Sequence, residues 1–182
     1  SDLASEACFS IDALLENLRA RFDSLERIAP REPLLAEFLT KEVNPFRETS
    51  EQWCRDFCRD QGVDPATEIP LEARTLSPSD FGFHNTLRRP DGRLAFLDFE
   101  YFGWDDPAKT ISDFLLHPGM SLKPALKEQF FAGAISIFSA TPKIEARIRA
   151  VYPLFGLKWT SILLNEFTLD HGPRRSFAVG AS

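Results

Sequence analysis

A chain of 182 residues that is 43% hydrophobic and 26% charged can bury one sizeable core, and its length fits a single domain over residues 1–182. A net charge of −6 without a Lys/Arg cluster argues against nucleic acid and anionic membrane as partners. The most apolar window, Phe130 to Ala140, is too short to cross a bilayer, and no basic start followed by an apolar run marks a signal peptide.

Ser10 is placed to cap a first helix, whose apolar positions Ile11, Leu14, Leu15, Leu18, Phe22 and Leu25 keep helical spacing up to the Ala29-Pro30 break. A second helix is expected over about Glu32 to Lys41 with Leu34, Leu35 and Phe38 inward, broken by Asn44-Pro45. A third starts near Thr49, where Gln52 completes a capping box, and stops at Gly62. It carries Cys54 and Cys58 on one face. Zinc would need two more ligands, and neither His nor Cys lies nearby in the chain. With Cys8 these make three cysteines, a sparse and odd count that implies reduced thiols and a cytoplasmic setting.

From Glu72 to Phe99 the pattern changes to short strands and turns. Helices return after it. One runs from about Ala108 to Leu116, with Asp106 as cap and Pro107 opening it. The next runs from a Ser121 cap to about Ser139, and another opens at Thr141-Pro142 and is interrupted at Tyr152-Pro153. A last helix spans about Leu154 to Leu169, with Asn165 and Glu166 on a polar face and a loose tail from His171. The fold class expected is therefore α+β, mostly α-helical, with one small β-hairpin.

The chemistry gathers at that hairpin. Pro90-Asp91-Gly92 is a turn signal between Asn85–Arg89 and Arg93–Asp98. A two-residue Asp91-Gly92 turn would set Leu87 opposite Phe96 and Asn85 opposite Asp98. Directly opposed residues have Cβ atoms roughly 4.5–5.5 Å apart, which would put an amide oxygen beside a carboxylate, both hard ligands of the kind magnesium takes. A one-residue slip would put them on opposite faces. Asp80 lies five residues before Asn85, the spacing of the Asp and Asn in the kinase catalytic loop, where the Asp accepts the substrate hydroxyl proton and the Asn holds magnesium. His84, in the loop between them, reads as a hydrogen-bonding residue of that loop.

The run from Leu76 to Pro107 resembles the aminoglycoside phosphotransferase and choline kinase group, a branch of the protein-kinase-like fold. That group shows H-G-D-x-x-x-x-N, a short hairpin, then [IL]-D-[FW]-E/G and G-x-D-P. Here these become Ser79-Asp80 through Asn85, Leu97-Asp98-Phe99-Glu100, and Gly103-Trp104-Asp105-Asp106-Pro107. The resemblance implies a kinase-like carboxy-terminal lobe that transfers the γ-phosphate of ATP to a hydroxyl of a small molecule, aminoglycoside-, choline- or sugar-like. Asp80 would be the catalytic base, Asn85 and Asp98 the Mg2+ ligands on the nucleotide side, and Glu100 and Trp104 candidates for the acceptor pocket.

Two departures stand out. The motif His is Pro78 and the motif Gly is Ser79, so the bracing usually supplied by that His must come from elsewhere. Thr110 stands where many members carry a second Asp, with Asp113 near enough to take its structural job. The amino-terminal lobe with its glycine-bearing strands and strand Lys is also missing from this sequence, in which Lys41 is the one Lys before Asp80. The chain is therefore expected to be one lobe of a longer protein, binding ATP poorly by itself. The alternative from another class is a non-catalytic, pseudokinase-like binding module. A metal-dependent hydrolase using Asp80, His84 and Asp98 is a third reading, short of the ligands such enzymes use.

Overall fold

A computed structural model describes residues 3–167 of the chain. The described residues are mostly helical, with a small β part of two separate antiparallel strand pairs. The expected end of the last helix at Leu169 and the tail from His171 lie outside the described residues. No described helix is long and apolar enough to cross a membrane.

Helix α1 is Ile11–Ile28. Ser10 caps it, its hydroxyl accepting from Ala13 N at 3.1 Å, and all six residues of the apolar stripe are buried. Ala29-Pro30 begins a single 3-10 turn, and α2 follows at Pro33–Phe38. Here the expectation of a break at Asn44-Pro45 fails. A π turn at Leu39–Val43 joins the two helices, and α3 runs directly on over Asn44–Asp60. Pro45 sits in the first turn of α3, where its missing N–H has no intrahelical partner to lose. The buried face of the α2 segment is Leu35, Leu39 and Val43, while Leu34 is 76% exposed and Phe38 42%. Thr49 is inside α3 and caps nothing; its hydroxyl donates to the Pro45 carbonyl at 2.8 Å. Cys54 and Cys58 are fully buried free thiols on the face of α3 that meets the core.

Strand β1 (Thr75–Ser77) pairs with β4 (Gly103–Asp105), and β2 (Thr86–Arg88) pairs with β3 (Leu94–Phe96). The start of the described chain adds to β4: Leu3 makes a parallel bridge to Trp104, and Ala4 N donates to the Trp104 carbonyl at 3.1 Å. Gly103 permits this approach, since a Cβ there would lie 2.3 Å from Ala4 N.

Helix α4 (Pro107–Leu116) starts as its Asp-Pro signal predicts, with the Asp106 carboxylate accepting from Ala108 N at 2.7 Å. Helix α5 (Pro124–Ile137) starts after Lys123 with no side-chain cap, and Ser121, the expected cap, takes a left-handed conformation at φ 45°. Helix α6 (Ile144–Leu164) is one element of 21 residues that continues through Pro153, correcting the expected interruption. Proline forfeits one helical hydrogen bond there. Val151, Leu154 and Phe155 are buried around it, and α6 packs on α1, α3 and α4 as the central helix. Asn165 and Glu166 fall in the 3-10 turn that follows.

A chain of buried charges ties the sheet to these helices. Arg147 of α6 donates to Asp106 at 2.5 Å and to the Phe9 carbonyl at 3.3 Å. Lys109 donates to Asp105 at 2.5 Å, and Lys109 and Lys158 flank Asp113 at 3.5 and 3.3 Å. Removing one member leaves an uncompensated charge in the interior. Asp106→Ala takes away both the cap of α4 and the partner of Arg147, and should cost about 3–5 kcal/mol of unfolding free energy by urea titration.

Candidate functional site

The site hangs on the loop between β1 and β2. β1 delivers the chain to Pro78, and Ser79 turns it with a left-handed φ of 64°. Two hydrogen bonds hold that turn: Ser77 Oγ accepts from Ser79 N at 3.1 Å, and Ser79 Oγ donates to the Tyr101 carbonyl at 3.0 Å. Asp80 follows, with its N–H on the Pro78 carbonyl at 2.9 Å. Aromatic packing anchors the loop, with Phe81 between Phe96 and Phe114 at ring distances of 5.0 and 5.1 Å.

The Asp80 carboxylate has three donors around it. Asn85 Nδ2 reaches both the Asp80 backbone carbonyl and Oδ2, each at 3.1 Å. Oδ1 meets His84 Nε2 at 2.9 Å and His117 Nε2 at 3.2 Å. Burial raises the Asp80 carboxyl, but the His84 hydrogen bond and charge, joined by Asn85 and His117, outweigh it and hold the group below the usual carboxylate range. The two imidazoles stack at 4.0 Å, and Gly82 makes room for His84: a Cβ there would lie 2.5 Å from His84 Cε1 and 2.8 Å from Met120 Sδ.

Both Asn85 amide hydrogens point at acceptors on Asp80, which fixes the amide orientation and leaves Oδ1 as a free acceptor. The expected partner across the hairpin is not the one found. The register sets Thr86 opposite Phe96, Leu87 opposite Ala95 and Arg88 opposite Leu94, one residue from the expectation. Asn85 therefore faces Leu97, whose N–H donates to the Asn85 carbonyl at 2.9 Å. The cause is the turn: Arg89 N donates to the Arg93 carbonyl at 2.8 Å, and Pro90-Asp91-Gly92 is a three-residue loop with Gly92 at φ 83°. Asp98 is exposed and left-handed at φ 61°, and its carboxylate makes no hydrogen bond or ion pair among the described residues. The shift removes the side-by-side placement expected of Asn85 and Asp98; each remains a hard oxygen donor without a side-chain partner for that oxygen among the described residues.

A cleft of about 370 Å³ opens beside Asp80, walled by Ser5, Glu6, Tyr101, His117, Lys158 and Trp159. Glu100 and Trp104 do not line it. Glu100 is exposed next to Tyr101, whose hydroxyl pKa it raises by accepting a hydrogen bond from it and by its charge, and Trp104 is engaged in β4 between Leu76 and Leu3. A larger apolar groove of about 500 Å³ between α3, α5 and α6 contains none of the motif residues.

Asp80, His84 and His117 are close enough to suggest a transition-metal site. The geometry opposes it. Imidazole binds a metal in the plane of its ring at about 2.0–2.1 Å, and two rings stacked at 4.0 Å and 13° share no such point.

His117 was not visible as a site residue in the sequence. Its Pro-Gly context reads as the end of a helix, and only the docking of α4 beside the loop brings it to Asp80. Lys158 and Trp159 likewise enter through the placement of α6. No family model, characterised protein or solved structure matches this chain.

Gly82→Ala should displace His84 from Asp80. The expected result is a loss of about 1–3 kcal/mol by overpacking, with shifted His84 imidazole resonances in NMR spectra.

Proposed function

We propose that this chain is the carboxy-terminal lobe of an ATP-dependent phosphotransferase acting on a hydroxyl of a small molecule. The observation that carries the reading is the state of Asp80. An ionised carboxylate has about four lone-pair sites. Donors from His84, His117 and Asn85 take three, and one on Oδ2 is left at the edge of a cleft sized for a small molecule.

A substrate hydroxyl donating to that remaining site is oriented with its oxygen lone pairs away from Asp80. As this oxygen bonds to the γ-phosphorus of ATP and the bond to the β-phosphate oxygen breaks, the hydroxyl proton passes to Asp80, and ADP leaves. A carboxylate with three donors is a weak base. Its main work is therefore to orient the hydroxyl, accepting the proton only once the oxygen has begun to bond to phosphorus. Asn85 Oδ1 and the Asp98 carboxylate would hold the magnesium, which when bound neutralises charge on the phosphates.

The nucleotide-binding lobe would lie on the hairpin side. Leu87, Leu94, Leu97 and Phe99 are between 45% and 59% exposed there, apolar surface that a docked lobe would cover. The acceptor's class and the ATP-binding contacts belong to this same proposal and rest on the motif resemblance, and a cytoplasmic setting rests on the sparse, free cysteines.

The test is Mg-ATP turnover by the full-length protein that carries this chain, with water as the default acceptor and choline, an aminoglycoside or a hexose added. ADP release is expected, and Asp80→Asn should lower kcat at least about 100-fold. Asp80→Asn at the wild-type rate would remove Asp80 from the mechanism, and no ADP release from any acceptor would leave the non-catalytic module as the better reading.

A further inference from the structure

We infer that His117 is the positioning residue for Asp80, a neutral imidazole that fixes the carboxylate for the incoming hydroxyl; the inference rests on the phosphotransferase reading. Within the loop His84 and Asn85 hold Asp80 from its C-terminal side, while Pro78 on the other side has no side-chain donor. His117 comes instead from the far end of α4, 37 residues after Asp80.

Its backbone is held from both sides. The His117 N–H donates to the Asp113 carbonyl at 2.8 Å, and its own carbonyl accepts from Met120 N at 3.0 Å. Pro118 sets the extended conformation of the residue before it, φ −56° and ψ 124°. The ring is held as well. One face stacks on His84, and Trp159 of α6 meets it edge-on at 4.4 Å.

The decisive contact is at Nδ1, which accepts from Gly119 N–H at 3.0 Å. A nitrogen that accepts carries no proton. In the neutral ring the proton is then on Nε2, the atom 3.2 Å from Asp80 Oδ1, and His117 must donate there. Burial, aided by the neighbouring His84, lowers the imidazole pKa, which keeps this neutral tautomer at pH 7 against the opposing charges of Asp80 and Asp113. His84 has no second partner among the described residues that fixes its tautomer. His84 also donates to Oδ1, but among the described residues only His117 has its proton placed by contacts at both ring nitrogens.

Such a brace matters because the Asp side chain rotates easily about its terminal torsion. With Oδ1 held by imidazole and Oδ2 by Asn85, the carboxylate plane is set, and so is the one lone-pair site left for substrate.

The test uses the full-length protein, with Mg-ATP turnover to water as the probe. His117→Phe keeps a flat ring between His84 and Trp159 but has no donor; kcat should fall about 10- to 100-fold with KM for ATP within about twofold. His117→Gln returns an N–H near the Nε2 position and should recover most of the loss, which a merely structural role would not predict. Thermal melts confirm that both variants fold. Independently of turnover, long-range 15N–1H spectra of the wild type should show His117 protonated on Nε2 at neutral pH. His117→Phe at the wild-type kcat beside a crippled Asp80→Asn, or a ring protonated on Nδ1, overturns this inference alone. Asp80→Asn at the wild-type rate overturns the phosphotransferase reading and this role with it.

Discussion

One carboxylate carries much of the structure. Asp106 stands between β4 and α4 and uses its two oxygens for different tasks, capping α4 at Ala108 N and binding Arg147 of the central helix. Burial alone pushes this carboxyl toward its neutral form, and the Arg147 guanidinium is the main opposing influence. The pair sets where α4 begins and how it lies on α6. Everything at the far end of α4 follows, including the position of His117 beside Asp80. The candidate site therefore depends on a contact at the opposite end of a ten-residue helix.

The ions beyond that pair extend the same constraint. Asp113 sits between Lys109 and Lys158, so α4 is tied to α6 a second time, one turn before His117. Such buried pairs are weak as a source of net stability, since well-packed apolar residues could replace them. They are strong as a register: a helix shifted by one residue would leave Asp113 or Asp106 buried without a cation. Here that register delivers an imidazole to within hydrogen-bonding distance of a carboxylate.

The parts legible in the sequence were those decided by local physics. The stripe of α1, its Ser10 cap and the Asp106-Pro107 start of α4 depend on nearest neighbours, and each is found as expected. The elements misread were decided by packing. Pro45 and Pro153 look like breaks, but one falls in a first helical turn after a π turn and the other in a helix whose buried faces outweigh a lost hydrogen bond. The hairpin register turned on one backbone angle, the positive φ of Gly92, which lengthens the loop to three residues. In the site, Asp80 and Asn85 were visible by spacing and are in contact. His117 carries no local signal, because its role exists only once α4 and the loop are side by side.

The register shift also changes how Asn85 and Asp98 are related. They are not a cross-strand pair. The ladder bond from Leu97 N to the Asn85 carbonyl is its last rung near the site, and the chain then turns at a left-handed Asp98 instead of continuing as strand. Ser79 makes the matching departure at the other end of the site, also left-handed. Positive φ at a non-glycine residue costs of order 1–3 kcal/mol and persists where the surroundings dictate it. For Ser79 the surroundings are explicit, since its N–H and hydroxyl are both engaged. For Asp98 no side-chain partner among the described residues offsets the cost. The one-residue shift thus removes the geometric reason for Asn85 and Asp98 to meet, and Asp98 is positioned by the backbone turn that ends the hairpin rather than by a partner across it.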